Sequence, residues 1–464
     1  MNKNRRALRG GILAGAIALI LFAGARAGPP APASRSFVLP NGLKVFLYEK
    51  HDFPLINIAL AVDAGSKDET DATNGLAHLL EHCILFRGTA ERTAAEVSRD
   101  IRSHGAYFNA NTGQDLSLFE ISLPSEHADF ALRNQKEILF AFALAPDALE
   151  EEKAVVLEEM YQMEDDPRRR GTDLVMQRLF EGHPYGRPVY GRPEVVRSAR
   201  VEDLKTFHAR YFVPDNCSLA VTGDFGAQDM EDKVKEVFGA LPKSGRSRAV
   251  LPKAGLLEKN VTVREVKDVK DAYLFLGFIG PDFNHPDQYA VDLLTEVLGR
   301  GVNPLLNLAL RSRRDLVQNI NMSYLAGRSG GAVVITMVLD QKNVAAATRE
   351  AVTYLRKARD ENFSADDFYG EDKYRVFDFL GNAKNQVRFS AEQAEESGLT
   401  LASSLARFML QNELENPGPF LGHIARTTSG DLRKAAGRYF GKGEYVAVSI
   451  VPKKSAAEPK EAGR

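Results

Sequence analysis

The sequence predicts an α+β protein made of two homologous α/β-sandwich domains, each a mostly antiparallel sheet with helices packed on it. Three observations carry this reading. The chain has 464 residues, too many for one ordinary hydrophobic core. Strand-like and helix-like stretches alternate in blocks: strands, helices, strands, helices. One pattern also occurs twice. Asp203-Leu204 is followed by Arg210-Tyr211-Phe212, a turn and Ser218-Leu219-Ala220-Val221. Then Asp431-Leu432 is followed by Arg438-Tyr439-Phe440, a turn and Tyr445-Val446-Ala447-Val448, at an offset of 228 residues. That offset is about half the mature chain, as two fused copies of one domain would give.

Taken in order, the chain opens with Arg5, Arg6 and Arg9 ahead of an uncharged apolar run from Gly10 to Phe22, and then Ala25-Arg26-Ala27. Positive start, apolar run and small residues at the cleavage positions predict a signal peptide, residues 1–27. The competing reading is a retained N-terminal anchor, although the run is short for a membrane span. No other stretch is long and apolar enough to span, so the mature chain is expected in the periplasm or medium with no membrane span. Residues 28–245 form the first expected domain. Phe37 to Leu47, broken by a Pro40-Asn41-Gly42 turn, and Leu55 to Ala64 read as strands, and strands return at Tyr107 to Leu123. Asp147 to Glu164 is helical in pattern. Lys, Ser, Gly, Arg and Pro gather in the expected linker 246–262, a second domain follows at 263–453, and 454–464 reads as a disordered tail. Apolar content of 44% and charged content of 26% are those of a globular protein, and a net charge of −2 provides no basic field for nucleic acid. Cys83 and Cys217 are too few for a disulfide framework; they read as two free, buried thiols, with a single bridge between them as the alternative.

The strongest chemical signal is His78-Leu79-Leu80-Glu81-His82. On a helix, positions i, i+3 and i+4 share a face, so His78, Glu81 and His82 project together while Leu76, Leu80, Cys83 and Ile84 face the core. Asn74 is a plausible N-cap. Two imidazoles one turn apart suit zinc. With 9 His and 62 acidic residues in 464, chance yields about 0.02 such pentads per chain. The bland alternative is a pair of structural histidines. A second helix weakens it. On Asp147 to Glu164 the apolar stripe is Val155, Val156, Met160 and Met163, and both Glu152 and Glu159 fall inside it. A carboxylate on a buried stripe is costly unless paired or bound to metal. Either glutamate could complete a His, His, Glu set with a fourth position open for water; spacing alone does not choose.

The reversed motif resembles that of the inverted zincins, the pitrilysin family with insulysin and mitochondrial processing peptidase. The 76 residues between His82 and Glu159 match the family's spacing to its third ligand, and Glu152 matches an acidic residue the family keeps seven positions earlier. Asn109-Ala110-Asn111-Thr112, Asp165-Asp166-Pro167, His183-Pro184-Tyr185-Gly186 and Tyr211 to Gly223 also look like family landmarks. The resemblance covers the mature chain and is stronger in its first half. It implies one Zn2+ per chain on His78, His82 and Glu159, Glu81 as the base, Glu152 supporting a ligand, and a peptide substrate held along Asn109 and Ala110. In the second half the family's arginine falls on Arg311, but its tyrosine position is Gln318, with Tyr324 six residues further on. This implies the zinc-bearing subunit of a heterodimer whose similar-sized partner supplies an Arg/Tyr pair; a self-sufficient homodimer is the second choice. The rival from another class is a non-catalytic assembly subunit of the same family. Cys83, Arg168-Arg169-Arg170 and the remaining histidines read as packing, a solvated turn, and structural or surface residues.

Overall fold

A computed structural model describes residues 33–245, 250–255, 257–301, 304–360, 363, 378–411, 419–441 and 444–453. The expected signal 1–27 and tail 454–464 lie outside the described residues, as do 246–249 and 256 of the expected linker.

The first half contains β1 (Ala33–Val38), β2 (Lys44–Glu49), β3 (Leu55–Val62), β4 (Tyr107–Thr112), β5 (Ser117–Pro124) and β6 (Cys217–Gly223). Its helices are α1 (Leu76–Phe86), α2 (Ala94–Ser103), α3 (Ala128–Phe140), α4 (Pro146–Asp165), α5 (Pro167–Leu179), α6 (Pro193–Ser198), α7 (Val201–Tyr211) and α8 (Ala227–Phe238). The strands form one sheet in the order β1-β2-β6-β3-β5-β4. Only β2 and β6 run parallel; the other neighbours are antiparallel.

The second half repeats this plan. Its strands β7 (Val261–Lys267), β8 (Ala272–Gly280), β9 (Asn319–Ala326), β10 (Gly331–Leu339) and β11 (Val446–Pro452) take the order β7-β11-β8-β10-β9. β11 pairs parallel with β7 and antiparallel with β8, as β6 does with β2 and β3. The two strands that end the repeated sequence pattern thus hold the same place in their sheets.

The outer faces of the sheets are covered by exchange. β3, LINIALAV, buries seven of its eight residues, as a strand covered on both faces must. One cover comes from its own half; the other is the Gly398–Gln411 helix of the second half, whose Ala402, Leu405, Ala406 and Met409 lie on Ala59, Ala61, Leu118 and Ala220. In return α5 crosses to the second sheet. Its Leu174, Val175 and Leu179 meet Phe275, Val446, Val448 and Ile450. Glycines allow this close approach: a Cβ on Gly171 of α5 would sit 2.0 Å from the Phe275 ring.

The run Arg168-Arg169-Arg170, expected as a solvated turn, is instead the first turn of α5. Pro167 starts the helix and Asp166 caps it, its carboxylate accepting from the N–H groups of Arg168 and Arg169. Arg170 then reaches across to Glu265 of β7 at 3.1 Å. Cys83 and Cys217 are free and buried. Among the described residues, no helix is long and apolar enough to cross a membrane.

Candidate metal centre

α1 carries the histidine pair, and its start is built with unusual care. The expected Asn74 cap is replaced by Gly75, at φ 119°, with the helix beginning at Leu76. Asn74 lies one residue before the cap, its side-chain NH2 donating to Glu69 Oε2 at 2.7 Å and to the Pro188 carbonyl at 2.9 Å. The capping group is Glu69. Its Oε1 accepts from Ala77 N at 2.7 Å and its Oε2 from Gly75 N at 3.0 Å. A buried carboxylate at a helix N-terminus satisfies orphan N–H groups and meets the positive end of the dipole. Burial nonetheless pushes its pKa from 4.5 up to about 7, with the donors to it opposing the shift.

From this anchored start, Leu76, Leu80, Cys83 and Ile84 go into the core as expected, and His78, Glu81 and His82 face α4. His78, His82 and Glu159 come together, with one ligand atom from each lying within 4.8 Å of the others. Glu159 Oε2 is 3.2 Å from His82 Nε2 and 3.7 Å from His78 Nε2. Ligand atoms at zinc distance on a tetrahedron lie about 3.3 Å apart, so the three atoms fit one ion. Among the described residues no other group of three His, Cys, Asp or Glu does so. The protonation states also suit a metal. Burial, with His82 beside it, holds the His78 pKa down at about 3, so its imidazole is neutral.

The structure separates the two glutamates that spacing left equivalent. Glu152, 2% exposed, sits behind His82 and accepts from its Nδ1 at 2.9 Å; its other oxygen accepts from Arg87 Nε at 2.5 Å. That bond turns Nε2 of His82 toward Glu159 and His78, the nitrogen that could ligate an ion. Burial works against charge on both groups, but the ion-paired contacts prevail: His82 is raised and Glu152 lowered. Val155, expected on the buried stripe of α4, is 49% exposed instead, because this side of α4 borders the open site.

Glu81 is 5% exposed and accepts hydrogen bonds from the side chain and backbone of Thr112, the last residue of β4. Burial raises its pKa, and Glu159 adds to the shift. β4 is the edge strand of its sheet. Asn109 is exposed and Ala110 packs on the core, and β4 has a strand neighbour on one side only among the described residues, which leaves its outer edge unpaired by any strand. Arg311 is exposed on the π-helical segment Asn307–Ser312, and no contact among the described residues joins it to the histidine pair. Gln318 donates to Asp271 at 3.1 Å and the Tyr324 hydroxyl to the Pro281 carbonyl at 2.9 Å.

Sequence reasoning missed Glu69, Arg87 and Tyr190, and named Thr112 only as part of the Asn109-Ala110-Asn111-Thr112 stretch, not as the partner of Glu81. Glu69 lies in a polar loop with Asp68 and Asp71, and nothing local singles it out. Tyr190 stands edge-on to His78, with ring centroids 4.8 Å apart at 88°. It forms part of the wall of a cleft of about 750 Å³, together with Met160, Asp173 and Arg187.

Comparison with known proteins places these features. A family model described as Insulinase (Peptidase family M16) matches residues 44–192, and one described as Peptidase M16 inactive domain matches residues 198–371. An uncharacterized zinc protease of Mycobacterium leprae is 30% identical over 299 residues, which is 64% of this chain and 67% of that one. Zinc protease PqqE of Helicobacter pylori is 24% identical over 91% of this chain and 93% of its own. A crystal structure of a protease from Helicobacter pylori superposes with a TM-score of 0.80 at 24% identity, covering 91% of this chain and all (100%) of that one; it shares the fold.

Proposed function

This chain belongs to the M16 (insulinase, or pitrilysin) peptidase family, and from that premise we propose that it is an exported zinc endopeptidase acting on peptides or unfolded segments. The observation that carries the reading is the convergence of His78, His82 and Glu159 on one point, with Glu81 beside them and an open strand edge alongside. One zinc per chain, when bound, would acidify a water and polarise the scissile carbonyl. The protein's own part is positional. β4 pairs with substrate backbone along Asn109 and Ala110, which gives weak sequence preference. Glu81 takes the proton of the attacking water and passes it to the leaving amine as the C–N bond breaks. Glu152 keeps His82 in the right tautomer.

The reading extends to a dimer. Gln318 is held by Asp271 and Arg311 stands exposed, which supports a similar-sized partner chain supplying an Arg/Tyr pair. A homodimer is the second choice. The N-terminal signal pattern supports a periplasmic or secreted location. An assembly subunit without chemistry is disfavoured, because such a chain has no need of an intact ligand set and base.

The test is zinc content and peptidase activity of the mature chain, alone and mixed with a similar-sized family member from the same cell. Glu81→Gln serves as the control and should retain zinc while losing activity by about 10²–10⁴-fold. Activity only in the mixture supports the heterodimer; activity of the lone chain supports the homodimer. Neither zinc nor activity in any condition would sink the peptidase reading.

A further inference from the structure

We propose that Tyr190 is a catalytic residue of this site: its phenol hydroxyl donates a hydrogen bond to the substrate oxygen that becomes negatively charged when water adds to the scissile carbonyl. This rests on the peptidase reading above and adds a donor to it. In the addition step the water oxygen bonds to the carbonyl carbon, the C=O π pair moves onto oxygen, and Glu81 takes the proton. When the C–N bond breaks, that pair returns and Glu81 gives the proton to the amine. Tyr190 transfers nothing; it holds a neutral O–H against the charge while it exists.

Four observations point to it. Its ring stands on the imidazole of His78, 4.8 Å between centroids, so it adjoins the metal ligands. Its hydroxyl feels the charges of Arg169, Glu159, Asp173 and Glu81, and so stands near both the candidate ligand Glu159 and the candidate base Glu81. That hydroxyl has no hydrogen-bond partner among the described residues, although the ring is half-buried on the wall of the cleft. The segment that carries it is fixed. Gly191, at φ 89°, lies so close to the start of α1 that a Cβ there would meet Gly75 Cα at 2.2 Å, and Arg192 N donates to the Asn74 carbonyl at 3.0 Å. A donor held in place before the reaction costs no reorganisation during it. Of the second-half positions matched to the family's pair or near it, the Gln318 amide donates to Asp271 and the Tyr324 hydroxyl to the Pro281 carbonyl, while Arg311 has no contact with the histidine pair among the described residues.

The competing role is packing alone, with the ring buttressing His78. Tyr190→Phe separates the two, since it keeps the ring and removes the donor. Wild type and variant should be compared, in whichever dimer is active, for zinc content, for kcat and KM on a fluorogenic peptide, and for calorimetric binding of a phosphinic peptide that mimics the tetrahedral adduct. We expect unchanged zinc, KM within about twofold, and kcat lower by about 10²–10³-fold. The phosphinic peptide should bind weaker by a similar factor, while an intact peptide binds equally well to Glu81→Gln with and without Tyr190→Phe. Unchanged kcat and unchanged phosphinic affinity would overturn the proposal, and so would loss of zinc from Tyr190→Phe, which would make the residue a support for His78. A wild-type protein that takes up no zinc would instead overturn the peptidase reading itself.

Discussion

At the scale of single residues, the candidate centre is organised around His82. Glu152 accepts from its Nδ1 and is itself held by Arg87, so one buried carboxylate fixes a tautomer and is fixed in turn. Glu152→Gln keeps the shape but can present a donor where Nδ1–H also donates. The expected outcome is a zinc affinity lower by about 10–100-fold, read by competition with a chelator, with the fold intact. The acidic character of the site was legible from a carboxylate pair on an apolar stripe. The helical pattern did not say which carboxylate joins the histidines; the resemblance assigned Glu159, and it is Glu159 that lies with them. Both lie on the same helical face, and only the position of α1 along α4 puts Glu159 before the histidines and Glu152 behind them.

At the scale of elements, α1 depends on Glu69 and the inter-half packing depends on α5. Burial sets the folded pKa of Glu69 at about 7 against an ordinary 4.5. Between those values the folded chain holds a proton that the unfolded chain has released. This group's contribution therefore favours the fold near pH 4.5 and is lost as pH rises through about 7. Glu69→Gln should flatten the fall in stability over that range, by an amount on the order of 1–3 kcal/mol, in urea unfolding of the metal-free protein at a series of pH values. For α5 the test is Gly171. In an exposed helix, Gly→Ala stabilises by about 0.5–1 kcal/mol. Here the new methyl would meet the fully buried Phe275 ring at 2.0 Å, and overpacking of that kind costs about 1–3 kcal/mol. Gly171→Ala should therefore lower the unfolding midpoint where helix propensity alone would raise it. The helix itself could be anticipated from Pro167 and the capping Asp166. Its destination could not, because an amphipathic face specifies that it is covered and not by which sheet.

At the scale of the whole molecule, a buried charge network closes the seam between halves. Arg328 donates to Asp63 at 2.8 Å and to the Leu410 carbonyl at 3.0 Å, while Lys67, 4% exposed, donates to Asp63, Asp68 and the Asp115 carbonyl. Tyr185 adds its hydroxyl to Asp115 at 2.7 Å and receives Ser329 N at 3.2 Å. Arg328→Met leaves Asp63 its lysine but removes the tie across the seam. A loss of about 2–3 kcal/mol is expected in chemical unfolding. Zinc should act on the whole fold as well. At a hundredfold excess over its dissociation constant it should stabilise by about 2.7 kcal/mol, seen as a fall in thermal midpoint on chelation. His82→Ala should show no such fall, since the ion then lacks one of its three ligands.

By itself the sequence determined the duplicated α+β plan, the helix that bears His78, Glu81 and His82, and the second helix with its two out-of-place glutamates. These are local matters of period and spacing, and a helix turns 3.6 residues at a time wherever it lies. Tertiary structure alone decided the rest: the hydrogen bond of Glu152 to the far side of His82, the capping of α1 by Glu69, the approach of Tyr190 to His78, and the exchange of α5 and the Gly398–Gln411 helix between halves. Each of these joins segments far apart in the chain. Which partner wins is set by burial, by close backbone approach and by the satisfaction of polar groups, none of which a single segment records.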